Sequence, residues 1–167
     1  MQFENGTGTN MSKAEPEQSE IEIRRIQSGD IPAIIALDER VTELAKPEYW
    51  HDIYERYSTR RMDKRFFLVA CSAREAECKV LGYIVGAVRG WEFGSAPSGW
   101  VFGFAVEADT RQQGIGEKLF MAISAEFAAV GIKTIRTMVP RQNPLHMAFF
   151  RSEGMVAGPY IQLEMEL

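Results

Sequence analysis

A mixed α/β domain is what this sequence predicts, on three observations. Six short segments show strand patterning, either apolar–polar alternation or a continuous apolar run bounded by turn residues. Four others carry apolar residues at helical spacing or sit between helix start and stop signals. The two kinds follow in the order β-α-α-β-β-β-α-β-α-β, without an internal repeat. At 167 residues the chain suits one domain with a substantial core and is short for two.

Residues 1–19 are polar, rich in Gly, Thr, Asn, Glu and Ser, and aperiodic, so they are read as a disordered leader before a single domain at 20–167. Alternation over Ile21–Ile26 predicts the first strand. The run Ser28-Gly29-Asp30-Ile31-Pro32 then offers a capping side chain and a first-turn proline. Ile31, Ile34, Ile35, Asp38 and Val41 mark the helix that follows. A second helix over about Pro47–Arg60 gathers Trp50, Ile53, Tyr54 and Tyr57 on one face.

Arg65–Cys71 and Val80–Val88 read as strands joined as a hairpin through Ser72–Lys79. After a loop holding Gly90, Gly94, Pro97 and Gly99 comes a strand at Trp100–Val106. Leu119, Phe120, Ile123 and Phe127 form the stripe of a helix that Gly131 stops. Thr134–Val139 is a further strand, and a short helix runs from about Pro144 to Ser152 and ends at Gly154. Alternation from Tyr160 to Leu167 predicts a last strand.

The composition, 46% hydrophobic and 25% charged, is that of an ordinary globular domain. No apolar run approaches a membrane span, and Met1–Glu4 lacks the basic and apolar regions of a signal peptide. A cytoplasmic location and no membrane partner are expected. The net charge of -4 argues against nucleic acid as a partner. Cys71 and Cys78, seven apart and without further ligand-spaced partners, fit neither a zinc site nor a disulfide framework and are expected as thiols. No metal is expected.

The chemistry is concentrated in Val106-Glu107-Ala108-Asp109-Thr110-Arg111-Gln112-Gln113-Gly114-Ile115-Gly116-Glu117-Lys118-Leu119: a strand, a polar turn, two glycines and a helix start. The first amides of a helix lack intrahelical acceptors, and its dipole places partial positive charge there. Glycines let the backbone wrap closely, so the segment suits phosphate or pyrophosphate. A P-loop would need Gly-Lys-Ser/Thr, but Glu117 follows Gly116; a dinucleotide fingerprint would need glycine where Leu119 stands.

Arg111-x-x-Gly114-x-Gly116, directly after a Phe-Ala-Val strand, resembles the pyrophosphate motif of the GNAT acetyltransferases. Asn143, Phe149, Phe150, Gly154 and Met155, with five residues between Asn143 and Phe149, resemble that family's pattern of an Asn followed by Leu/Phe-Tyr-(x)3-Gly-Phe, and with the element order the resemblance covers about residues 21–167. It implies a mostly antiparallel central sheet with helices on both faces, splayed between the strands holding Val106 and Val139. It further implies acetyl-CoA as co-substrate. Phe104, Ala105 and Val106 would pair with the pantetheine arm through their backbone, and the amides of Arg111, Gln112, Gln113, Gly114, Ile115 and Gly116 would hold the pyrophosphate. Asn143 would bond the pantetheine, and Phe150 would flank the thioester.

In such proteins an amine attacks the acetyl carbonyl directly, assisted by orientation, proton removal and an N–H donated to the oxyanion, here near Val106. Two positions depart from the pattern. Phe150 stands where a tyrosine normally protonates the departing thiolate, and Met138 where some relatives carry a glutamate base. A thiol with a pKa near 8.5 still leaves tolerably as thiolate. Glu92, between Trp91 and Phe93, is the first candidate base; His51, Tyr54, His146 and Tyr160 are others, His146 being read chiefly as surface or packing. Without strong acid and base groups, an amine of low pKa is the expected acceptor, on a small molecule or a peptide. The rival readings are a non-catalytic acyl-CoA-binding or regulatory module, motivated by Phe150, and an unrelated nucleotide-phosphate binder. A homodimer is compatible with the sequence.

Overall fold

The computed structural model describes residues 21–58, 64–72 and 78–167. The proposed leader, the end of the second helix beyond Ser58 and the hairpin segment 73–77 lie outside them. Five strands form one sheet in sequence order: β1 (Ile21–Arg25), β2 (Arg65–Ser72), β3 (Lys79–Arg89), β4 (Ser98–Val106) and β5 (Ile135–Thr137). The first three pairings are antiparallel and β4–β5 is parallel.

Side chains alternate across a strand, so β2 serves two cores at once. Phe67, Val69 and Cys71 join one buried cluster, and Phe66, Leu68 and Ala70 the other. Over the first face lie α1 (Ile31–Thr42) and α2 (Pro47–Ser58), which contribute Ile31, Ile34, Leu37, Trp50 and Ile53. Over the second lie α3 (Ile115–Ala129) and α4 (Pro144–Ser152), through Ile115, Leu119, Phe120, Ile123, Phe127 and Phe150. The expected mostly antiparallel sheet with helices on both faces is therefore present.

Asp38 explains how α1 and α2 hold their places. Its buried carboxylate accepts from Trp50 Nε1 (2.9 Å) and the Tyr83 hydroxyl (3.0 Å) and pairs with Lys46 Nζ (2.8 Å). A buried carboxylate is tolerable only when bonded this fully. Burial first, and the charge of Asp38 second, hold Tyr83 as a phenol well above its usual range. One acidic side chain thus ties two helices to β3.

Three expectations are corrected. Asp30 does not cap α1: its carboxylate turns back to Arg24 (2.7 and 2.8 Å) and the Gln27 N–H (2.7 Å). Cys71 and Cys78 form a disulfide, with Cα atoms 5.4 Å apart. Antiparallel pairing brings them together, since a register shift at Ala70/Cys71 sets Cys71 opposite Val80. Finally, Tyr160–Leu167 is not a strand, and all eight of its residues are exposed. Alternation makes a segment competent to pair but supplies no partner edge. Among the described residues no helix is long and apolar enough to cross a membrane.

Candidate active site in the split sheet

β4 and β5 pair only over Gly99–Val101 and Ile135–Thr137, and the Thr137 hydroxyl closes the ladder on the Val101 carbonyl (2.8 Å). Beyond that point β4 runs on through Val106, paired with β3 alone. A register shift at Val85/Gly86 sets Val85 opposite Gly103 and Gly86 opposite Val101, leaving Phe102 as the extra residue. Such bulges bend a strand and sharpen its twist. Past the split, one edge of β4 between Phe102 and Val106 faces a gap rather than a neighbouring strand.

The polar turn closes this gap at its far end. The Glu107 N–H bonds the Leu81 carbonyl (2.8 Å), and a 3-10 turn spans Ala108–Gln113. Gly114 follows at φ 69°, a conformation that favours glycine, and α3 begins at fully buried Ile115. The Lys118 N–H bonds the Gly114 carbonyl (3.0 Å). The amides of Ile115, Gly116 and Glu117 precede that bond and have no acceptor within the helix. At Gly116 a Cβ would lie 2.9 Å from Phe149 Cε2 and 3.2 Å from Phe104 Cζ, so only glycine lets the helix start approach these rings without displacing them.

Between these elements lies a cleft of about 480 Å³. Phe104, Ala105, Val106, Gly114, Gly116 and Asn143, all expected at the site from the sequence, line it. Ile115 lies beneath it in the core, and Arg111, Gln112 and Gln113 belong to the turn. Phe150 does not line the cleft; it is buried against Phe104, Phe120 and Phe149, at ring distances of 5.7, 6.0 and 5.2 Å. Phe149 reaches the cleft instead, stacked on Phe104 at 4.5 Å.

Glu92 is not brought there. It sits in the β3–β4 loop beside the Arg89↔Ser98 end of the hairpin, whereas Val106 pairs with Gly82 at the opposite end. At about 3.3 Å per residue the intervening strand spans roughly 26 Å. The Glu92 carboxylate pairs with Arg89 (2.8 Å), and its neighbours Trp91 and Phe93 are exposed. His51 and Tyr160 are likewise exposed, and Tyr54 packs against the core under α1 and α2.

Arg40, Glu117, His146 and Glu153 complete the walls. No spacing in the sequence points to them as a group, because tertiary packing alone brings them together. Arg40 pairs with Glu107. Asn143 Oδ1 accepts the His146 N–H (3.0 Å) and so caps α4, which makes its Nδ2 the donor to His146 Nδ1 (3.1 Å). That contact leaves the neutral His146 proton on Nε2. The Glu153 carboxyl is held above its usual range, by burial first and by the charge of Glu117 second. Among the described side chains, then, the walls carry more acid than base. The backbone amides at the start of α3 offer an anion partial positive charge there.

The acetyltransferase (GNAT) family model matches residues 31–155. No curated protein sequence matches. Among solved structures, aminoglycoside N-acetyltransferase AAC(6')-Iy in complex with CoA is 13% identical, with a TM-score of 0.77 over 92% of this chain and 99% of that one. A transcriptional regulator from Bacillus halodurans C-125 is 19% identical, with a TM-score of 0.72 over 89% and 100%. An aminoglycoside 6'-N-acetyltransferase, AAC(6')-Ih from Acinetobacter baumannii, is 13% identical, with a TM-score of 0.73 over 89% and 99%. At these identities the likenesses establish the fold.

Proposed function

This chain belongs to the GNAT acetyltransferase family, and we propose that it transfers an acetyl group from acetyl-CoA directly to a primary amine of a small molecule or peptide. The single observation that carries the reading is the cleft itself, where an unpaired strand edge and the free amides of a helix start face one space. The edge from Phe102 to Val106 suits an extended amide-bearing arm, which would add to β4 as a strand does. The amides of Ile115, Gly116 and Glu117, with the turn from Arg111 to Gly114, suit a pyrophosphate. When bound, acetyl-CoA supplies the activated acetyl group as a thioester.

The chain's own residues would do the rest. An N–H of β4 near Val106 would donate to the carbonyl oxygen as charge develops on it. Asn143 and Phe149 would fix the arm against α4. His146, with its proton on Nε2, is the group in the wall suited to donate a hydrogen bond to the departing sulfur, which leaves as thiolate. Since Glu92 is distant, proton removal from the amine would fall to water, which favours an α-amine near pKa 8 over a lysine near 10.4. Catalysis of this kind is mostly orientation.

The test is release of free CoA across a panel of amines, with wild type, Glu92→Gln and His146→Ala. The expected results are turnover by wild type and by Glu92→Gln within about twofold, with a loss of ~10-fold or more in His146→Ala. Acetyl-CoA binding without CoA release for any amine would favour the non-catalytic acyl-CoA-binding reading. That reading has its own observation: buried Phe150 leaves no tyrosine hydroxyl among the described residues lining the cleft.

A further inference from the structure

The face of the sheet under α1 and α2 carries a row of side chains that the cleft does not use. Register sets Arg65 opposite Ala87, Ala87 opposite Trp100 and Trp100 opposite Arg136, one line across β2, β3, β4 and β5. Their neighbours Phe66, Val101 and Ile135 pack in the cluster under α3 and α4, so alternation turns the row to the other face. Arg89 joins it, its guanidinium 4.7 Å from the centroid of the Trp100 ring. Tyr57 of α2 reaches the same place, with Arg65 at 5.2 Å and Phe102 at 5.6 Å from its ring.

The charge of this row is not all spent. Glu92 pairs with Arg89, but among the described residues no carboxylate pairs with Arg136. Half-buried Arg136 donates from Nη1 to Ser95 Oγ (3.2 Å) and lies 4.7 Å from the centroid of the Tyr160 ring. Those contacts hold the guanidinium in place and use one of its five N–H donors. Trp100 Nε1, across the ladder, is buried and has no hydrogen-bond partner. The position is equally telling: β4 and β5 part beyond Val101 and Thr137, so Trp100 and Arg136 border the closed end of the gap. An arm held by its pyrophosphate at the start of α3 and laid along β4 points its free end from Val106 toward that closed end.

We propose that the acceptor is an amine that also carries a carboxylate, which Arg136 binds beside Trp100. A guanidinium fork matches a carboxylate in shape and charge, and the rings of Tyr57, Trp100 and Phe102 suit an apolar body between the two groups. The place of the amine rests on the acetyl-transfer reading; the anion site does not. In the transfer, the amine nitrogen bonds the acetyl carbon, the C–S bond breaks, CoA leaves as thiolate, and the proton of the amine goes to water.

Release of CoA is measured with glycylphenylalanine and diglycylphenylalanine, each as free acid and as C-terminal amide, and with spermidine as a polycation. Wild type is expected to use the acids with kcat/KM at least ~10-fold above the amides and above spermidine. Arg136→Gln is expected to bring the acid-to-amide ratio to within about twofold of one, chiefly through KM, and Arg136→Lys to restore part of it because the charge returns without the fork. Equal use of acids and amides by wild type, a preference for spermidine, or a ratio unchanged in Arg136→Gln overturns the proposal. Calorimetry of the same compounds in the presence of CoA separates the two readings. Acids that bind better than amides, lose that advantage in Arg136→Gln and release no CoA would uphold the anion site and sink acetyl transfer. Neither binding nor turnover of any acid overturns the anion site.

Discussion

At the residue scale, Glu153 shows how the cleft balances its charge. Its carboxyl is pushed above the usual range by burial and by Glu117, so the folded protein binds this proton more tightly than the unfolded chain does. Stability is then greatest below the ordinary carboxylate value and falls as pH rises from there toward the folded value. Glu153→Gln is expected to remove that decline: its urea midpoint should exceed wild type at pH 7 and match it near pH 3. The same change takes one negative charge from a wall proposed to face phosphates. Affinity for acetyl-CoA should rise about two- to fivefold at low salt, with a smaller gain at high salt. A midpoint unchanged at both pH values would show that Glu117 and burial do not act on it.

At the element scale, the two hairpin strands and α4 illustrate what sequence can and cannot reveal. Asn143, Pro144 and Gly154 announce both ends of α4 locally, and the structure places that helix at Pro144–Ser152 as expected. Apolar runs likewise mark β2 and β3. The disulfide between Cys71 and Cys78 is not legible in the sequence, because its geometry depends on a register shift within the hairpin. Closing a loop this short by a disulfide is worth about 2–3 kcal/mol in chain entropy, so Cys71→Ala/Cys78→Ala should lower stability by that amount in urea unfolding. A loss below ~0.5 kcal/mol would mean that the paired strands already confine the segment. The tail misleads for the opposite reason: its pattern reports pairing competence, while the pairing itself depends on an edge elsewhere.

At the scale of the whole molecule, the proposed function follows from the split between β4 and β5. The Gly114–Gly116 segment is legible as a candidate anion site because helix-start physics is local. The rest of the cleft is only partly so. Phe104, Ala105, Val106 and Asn143 come from family resemblance, and the structure gathers them around one space. Arg40 from α1 and Glu153 at the end of α4 reach it through packing that no spacing encodes. Glu92 stands out in the sequence for its aromatic neighbours, yet strand length sets it at the far end of the β3–β4 hairpin. The acceptor side has no comparable local signature, and family relatives of the same fold carry different substrates.

Calorimetric titration of acetyl-CoA tests the central claim most directly, on wild type, Gly114→Ala and Gly114→Glu, with ATP and NAD as controls. Gly114 sits at positive φ, and a Cβ there would meet nothing nearer than Glu117 Oε2 at 4.0 Å. Alanine therefore reports backbone strain alone, at about 1–2 kcal/mol of stability. Glutamate adds a charge opposed to the pyrophosphate. Acetyl-CoA is expected to bind wild type, to bind Gly114→Ala within a few-fold, and to lose at least ~100-fold in Gly114→Glu, about 2.7 kcal/mol, with ATP and NAD binding none of them. No binding by wild type, or undiminished binding by folded Gly114→Glu, would contradict the assignment of the split sheet as an acyl-CoA site.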